Sequence, residues 1–434
     1  MWRAWRSALT ALLLTVASLC AQPSSARAAE PGDSLTISLL TMGPGEHPFT
    51  AFGHTALWVH DAATGRDEVF NYGTFAFDSS SLLLDSVQGR LPYWLSVQSM
   101  RSTLAGYGEQ GRSLLASELE LTPAQRLSLL AALRDNALPE HRYYRYDYYR
   151  DNCATRVRDA LDRVLAGAIH AQGRAPASMS YRDHTLRLVA GDPKLYVGLD
   201  LAVGRETDAP ITFWDEAFLP ARLHDLFAHT RITQDGRSLP LIRSERSLLT
   251  SSLPAPRVAA PSWFGFFGGV GLFLGAALAL LGAEARTSTR AKWALGLLAI
   301  ALGVPLGLLG SAIAYLTFFS AHSAAAANYN VLLLPPWILA LPVAAVGAWR
   351  AKPWASRVAL LATIATLAST LVALLIHLCT QHAQANGQEL AFALPLWAGA
   401  AFALWCAERR ALPRARSTER TPTATARVTP KISG

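Results

Sequence analysis

From Trp263 to Cys406 the chain carries five apolar runs, 263–281, 293–319, 331–349, 358–379 and 390–406, separated by short polar links. Each is about as long as an α-helix must be to cross ~30 Å of hydrocarbon, and within lipid a helix satisfies every backbone N–H and C=O inside its own segment. The region 263–406 is therefore expected to be an all-α domain of five transmembrane helices. The composition agrees: 51% of the chain is hydrophobic and only 16% charged, where a soluble protein has about a quarter of its residues charged.

The links alternate in charge. Arg286, Arg290 and Lys292 follow the first run, and Arg350, Lys352 and Arg357 follow the third. The tail 407–434 carries Arg409, Arg410, Arg414, Arg416, Arg420, Arg427 and Lys431, whereas the links after the second and fourth runs have neither Lys nor Arg. The positive-inside rule then puts the basic links and the carboxyl terminus in the cytoplasm, and the amino-terminal region with the links 320–330 and 380–389 outside. This pattern also explains the net charge of +8. Basic residues concentrate at the cytoplasmic ends, while in 29–262 acidic residues outnumber basic ones, so a nucleic-acid partner is not expected.

The amino terminus reads as an export signal. Met1-Trp2-Arg3-Ala4-Trp5-Arg6 is basic, 8–19 is apolar, and small residues surround Ala28, the layout of a cleaved signal peptide over 1–28. Cys20 follows Leu19 rather than a small residue and is expected to leave with the signal. Residues 29–250 then form an extracytoplasmic domain large enough for its own core, and the Pro/Ser-rich stretch 251–262 is a linker to the first span. Cys20, Cys153, Cys379 and Cys406 are too few and too scattered for a disulfide framework, and none has zinc-site spacing. No metal and no cofactor are expected.

Within 29–250, 34–40, 51–60, 68–75 and 114–121 read as strands. Thr122-Pro123 starts a helix running to about Asn136, with Thr at the cap and Pro at the first helical position. A second helix starts at Cys153. Val157, Leu161, Val164 and Leu165 have helical spacing, Gly167 is a stop, and Asp151 or Asn152 supplies the cap. In a first helical turn the exposed N–H groups and the positive end of the dipole favour a thiolate, so Cys153 is expected to have a lowered pKa and to act as a nucleophile. The same position also suits a small buried residue on an inner helix face. His54, between Gly53 and the alternating run 55–59, is placed to serve as its base on a rigid strand, since cysteine chemistry needs a base beside the nucleophile. Asn71, on the next strand, is the candidate for orienting the His54 ring, with a plain strand-end role as the alternative. Tyr143, Tyr144, Tyr146, Tyr148 and Tyr149 crowd the approach to Cys153.

Three blocks carry a family resemblance: Phe52-Gly53-His54-Thr55-Ala56-Leu57, Asn71-Tyr72-Gly73-Thr74-Phe75, and 146–156 with its Asp151-Asn152-Cys153-Ala154-Thr155-Arg156 core. With 208–212 and 218–220 they resemble the Lnb family of bacterial lipoprotein N-acylation proteins, and the five apolar runs resemble that family's membrane part. The resemblance implies an α+β architecture, a papain-like extracytoplasmic fold related to NlpC/P60 enzymes in permuted order, followed by the five spans. It implies transfer of a fatty acyl chain to the amino terminus of a lipoprotein, with Cys153 as nucleophile, His54 as base, and Asp151 and Asn152 as supporting residues. The acyl donor would be a membrane phospholipid or a diacylglyceryl lipoprotein, and the acceptor a lipoprotein N-terminus. His322, Asn328 and Asn330, in the link after the second run, resemble a His and Asn-x-Asn feature of the membrane part and would position lipid head groups; ordinary interfacial loop chemistry is the other reading. The rival enzyme reading is a membrane-anchored NlpC/P60-like peptidase or amidase using the same Cys153 and His54 on the cell wall. The rival without catalysis is a membrane assembly component, against which the spans carry very few ionisable residues.

Overall fold

The computed structural model describes residues 30–76, 82–380 and 383–408. The expected signal peptide 1–28 lies outside the described residues, as does all but the start of the tail 407–434.

The described chain forms two compact units, one from within 1–77, 92–177 and 212–255, the other from within 78–91, 178–211 and 256–434. The chain thus leaves the first unit twice before reaching the apolar helices, and the linear division into 29–250, 251–262 and 263–406 does not follow the units. The reason is visible in the second unit. Arg182, 2% exposed, pairs through Nη1 with Asp200 at 2.6 Å and through Nε with Asp208 at 2.8 Å. Its remaining nitrogen donates to the Val203 carbonyl at 2.8 Å. A buried guanidinium is tolerated when every donor is used in this way, and it ties 182–208 into one polar knot.

The first unit is built on a seven-stranded sheet in the order β6-β4-β3-β2-β1-β5-β9. Its strands are β1 Leu35–Met42, β2 His54–Asp61, β3 Arg66–Thr74, β4 Pro92–Gln98, β5 Leu114–Leu119, β6 Tyr143–Arg145 and β9 Ile242–Leu249, while β7 Arg231–Gln234 and β8 Arg237–Pro240 form a separate hairpin. All neighbours are antiparallel, with Leu39 opposite Leu57 and Leu57 opposite Phe70. Ile37, Leu39, Leu57, Val59 and Phe70 build the main core with Val157 and Leu161 of the Cys153–Val164 helix. Leu40, Met42, Ala56 and Val69 join a smaller cluster on the other face, with Met100 of the Met100–Glu109 helix. Covering both faces of the central strands explains why β1 reads apolar with little alternation.

The helix signals act as expected. Thr122 caps Pro123–Asn136 in a reciprocal box with Gln125, and Asn152 caps Cys153–Val164 in a box with Thr155.

Among the described residues the second unit has five helices long and apolar enough to cross a membrane: Phe264–Glu284, Thr289–Phe318, Asn330–Trp349, Trp354–Cys379 and Gly387–Ala407. The first and fifth touch backbone to backbone, because a Cβ on Gly275 or Gly399 would collide with the facing main chain, the small-residue packing that lipid favours. The third span is broken. Its first turn, Asn330–Leu333, is separated from Ala340–Trp349 by a 3-10 turn at Pro336–Leu339, since Pro335 and Pro336 offer no N–H to the helix.

Candidate active site

Cys153 opens its helix with its side chain buried at the edge of the main core. The Asn152 cap is fully committed. Its Oδ1 accepts from the N–H groups of Ala154 and Thr155 at 2.9 Å each, and its Nδ2 donates to the carbonyls of Tyr148 at 2.8 Å and Phe218 at 2.9 Å. Asp151 faces away from this arrangement, gripping Arg156 through two bonds of 2.6 and 2.9 Å, and that guanidinium lies 3.6 Å from the centre of the Tyr144 ring. Asp151 therefore fixes the approach to the helix.

Around the sulfur sit the backbone N–H groups of Thr55, Ala154 and Cys153 and the hydroxyl of Tyr146. These donors favour the thiolate, but burial outweighs them and pushes the thiol up to about 11. The lowered pKa expected from the helix start alone is thus corrected: desolvation in a closed site costs more than the dipole returns. Desolvation holds the Tyr146 phenol well above the usual range, so it remains a neutral O–H donor.

His54 begins β2, directly after Gly53, whose φ of +82° and close approach to the Met42 carbonyl leave no room for a Cβ. Burial, then the charge of Arg112, lower the His54 ring to about 4, against a hydrogen bond from the ring to Asn71. Asn71 is buried, and its Nδ2 donates to the Val69 carbonyl at 3.2 Å, which turns its oxygen toward the imidazole. The ring stacks on Tyr107, centroids 6.5 Å apart and planes 16° from parallel. Arg112 lies 4.7 Å from the Tyr107 ring centre and donates through Nε to the Gly43 carbonyl at 2.8 Å.

His54 and Cys153 line one cavity of about 80 Å³, together with Gly53, Gly73, Asn152 and Pro220. Its other walls are largely aromatic, from Phe49, Phe52, Phe75, Tyr93, Tyr146, Tyr148 and Phe218. Tyr93 and Tyr146 stack at 4.2 Å, and Phe52 meets Tyr148 edge-on at 5.3 Å. Gly73 lines the cavity on the sheet side. It has φ +86°, β3 pairs irregularly with β4 between Asn71 and Thr74, and a Cβ there would stand 3.5 Å from the Cys153 Cβ. The sequence flagged the tyrosines without giving them roles; Tyr107 and Arg112 left no signal in it, because only the fold brings 107 and 112 beside 54.

The link residues lie in the second unit. His322 is exposed, its Nε2 2.8 Å from the Ser86 carbonyl. Asn328 and Asn330 do not face lipid. They are 2% and 0% exposed, and their amide nitrogens donate to the carbonyls of Leu201 and Ala202 at 2.7 and 3.0 Å, and of Asp200 and Leu201 at 3.3 and 3.2 Å. Those carbonyls end the Pro193–Ala202 helix, whose last turn has no intrahelical partners. With their amides spent in this way, the pair acts as a C-terminal cap supplied from a distant link.

Fold and site together define a multi-pass membrane protein with an α+β domain that encloses a cysteine and a histidine in an aromatic cavity. A model of the Lnb N-terminal periplasmic domain matches residues 22–189, and one of the Lnb transmembrane domain matches residues 269–410; the chain belongs to the Lnb family. Comparison with curated proteins and with solved structures finds no match.

Proposed function

We propose that this protein is a membrane-bound acyltransferase of lipoprotein maturation, moving a fatty acyl chain through a Cys153 thioester to the N-terminal amine of bacterial lipoproteins. The observation that carries the reading is the cavity shared by Cys153 and His54, in a chain matched at both ends by Lnb domains. A helix bearing the nucleophile at its amino terminus, packed on an antiparallel sheet whose second strand carries the base, also supports a papain-like fold in permuted order.

The chemistry starts from a neutral pair. With His54 unprotonated and Cys153 a thiol at neutral pH, His54 takes the thiol proton as sulfur attacks the ester carbonyl of a phospholipid or of a diacylglyceryl lipoprotein. The tetrahedral oxygen is met by donors already in place, the N–H groups at the start of the helix and the Tyr146 hydroxyl. Collapse breaks the ester C–O bond, and His54 returns the proton to the departing alcohol. The lipoprotein amine, in its uncharged form, then attacks the thioester. The C–N bond forms, the C–S bond breaks, and the amine's proton passes by way of His54 to the sulfur. Asn71 holds the imidazole throughout. Donor and acceptor both carry acyl chains and sit in the membrane, which gives five spans a purpose that a simple anchor would not need. The site is read as periplasmic, with the basic links and carboxyl terminus in the cytoplasm.

The test is the mass of lipoprotein amino-terminal peptides in a strain where this protein is the sole N-acyltransferase. Cys153→Ala should leave the amines free. Amines that remain acylated would overturn the proposal, and longer uncut cell-wall peptides in the same strain would point to the peptidase reading.

A further inference from the structure

The five apolar helices of the second unit do not fill the space between them. A cavity of about 460 Å³ runs among them, with Leu278, Leu302, Leu341 and Leu396 along its depth. Its mouth differs in character: it is framed by Lys292 near the start of the second span and Trp349 at the end of the third. The Trp349 ring stacks on Trp293 at 4.5 Å and lies over Gly296, against which its Nε1 is buried. Lys292 is exposed and has no ion-pair partner among them. Arg286, Arg290, Arg350, Lys352 and Arg357 lie at the same ends of the spans, opposite to the ends where Asn328 and Asn330 cap the Pro193–Ala202 helix.

An apolar void of this size forfeits dispersion contacts along all its walls, and water gains little there because water needs two or more polar partners. A hydrocarbon chain suits it. At roughly 30 Å³ per water-sized group, the space takes on the order of fifteen methylenes, one acyl chain of ordinary membrane length. The mouth supplies what a head group with a negative charge requires: the Lys292 ammonium, within a basic fringe of the kind that binds anionic lipid heads between helices.

We propose that this cavity binds one acyl chain of an anionic phospholipid, with the lipid phosphate held by Lys292. Such a lipid lies at the basic end of the bundle and is a resident component, distinct from the acyl donor; the inference rests on the second unit alone and stands whether or not Cys153 is catalytic.

The experiment uses the full chain purified in a neutral detergent. Phospholipid retained after extensive washing is measured by native mass spectrometry, and the melting temperature is followed on adding phosphatidylglycerol or phosphatidylcholine. The wild type should retain about one anionic phospholipid and be stabilised by phosphatidylglycerol in preference to phosphatidylcholine. Lys292→Glu should lower retention roughly tenfold, the scale of reversing one charge beside a lipid head, and Ala345→Phe, which fills the cavity, should abolish it. Lys292→Ala, on an exposed side chain, carries the test if Ala345→Phe does not fold. Retention unchanged in the Lys292 variants, or equal stabilisation by the two lipids, would overturn the proposal.

Discussion

Asn71 and His54 form a fixed couple: the Asn71 amide nitrogen is anchored on the Val69 carbonyl at 3.2 Å, leaving its oxygen to receive the imidazole N–H. A neutral acceptor holds one tautomer, with the other ring nitrogen free to take a proton, and it raises the ring's basicity less than a carboxylate would.

Replacing Asn71 tests this division of labour. Asn71→Ala should lower turnover by about 10²-fold, the cost of a misplaced catalytic group, with little change in the apparent affinity for lipid. Asn71→Asp should keep the orientation but place a negative charge beside the ring. The acidic limb of the pH–rate profile, set by His54 at about 4, should then move to higher pH. An unmoved limb would remove Asn71 from contact with the base.

The neutral pair also predicts the reactivity of the free thiol. With Cys153 at about 11, the thiolate fraction at pH 8 is on the order of one in a thousand. Alkylation of Cys153 by iodoacetamide should therefore be slow at neutral pH and rise about tenfold per pH unit through pH 9. A plateau already reached at pH 6 would reveal a preformed ion pair and contradict the desolvated site. Tyr146→Phe, keeping the stack on Tyr93 but losing the hydroxyl that faces sulfur, should raise the thiol further and slow acyl transfer by roughly 10² or more.

His54 has a stability counterpart with a definite sign. Its folded pKa of about 4 lies below the ordinary histidine value of 6.5, so the unfolded chain binds the proton more readily. Stability from the buried neutral ring is complete above about pH 6.5 and drains as the pH falls toward 4. Thermal melts of wild type and His54→Gln should accordingly converge on acidification across that window. Parallel curves would show that the ring is not desolvated.

The parts of the site that could be read from the chain were those set by local rules. Thr122-Pro123 and Asn152 announce helix starts, and the spacing 157, 161, 164, 165 gives the buried face, so the place of Cys153 was legible; β2 and its glycine placed His54 in the same way. The acidity of Cys153 was not, because the dipole is local whereas the desolvation that overrides it comes from Phe218, Tyr146 and the sheet. Nor was the pairing of Tyr143–Arg145 with β4, since a strand of three residues has no period to detect. That the 178–211 segment belongs to the second unit was invisible for a related reason: its polar knot joins Arg182 to Asp200 and Asp208 over separations that no motif spans.

Gly73 links backbone strain to the cavity. At φ +86° a side chain costs about 1–2 kcal/mol, and a Cβ there would take up space beside Cys153 and Tyr146, in van der Waals contact at 3.5 and 3.4 Å. Gly73→Ala should lower the melting temperature of the protein and slow alkylation of Cys153 at fixed pH by narrowing access. An unchanged melting point would mean that β3 can flip this residue out of the left-handed region.

Asn328 and Asn330 separate a structural role from a lipid-binding one. Each spends its amide nitrogen on carbonyls of Asp200–Ala202, and Asn330 Oδ1 accepts from Asn386 at 3.1 Å while Asn328 Oδ1 accepts from Gln384 at 3.1 Å. Removing one amide leaves buried carbonyls unpaired, at about 1–3 kcal/mol for each group stranded. Asn330→Ala should therefore lower the melting temperature and increase proteolytic cutting within 193–211, while the apparent KM for lipid in the surviving folded fraction stays unchanged. A raised KM with unaltered melting and cleavage would instead return this pair to the head-group role, and would require the 320–330 link to open so that two amides, 2% and 0% exposed as they stand, could reach a lipid.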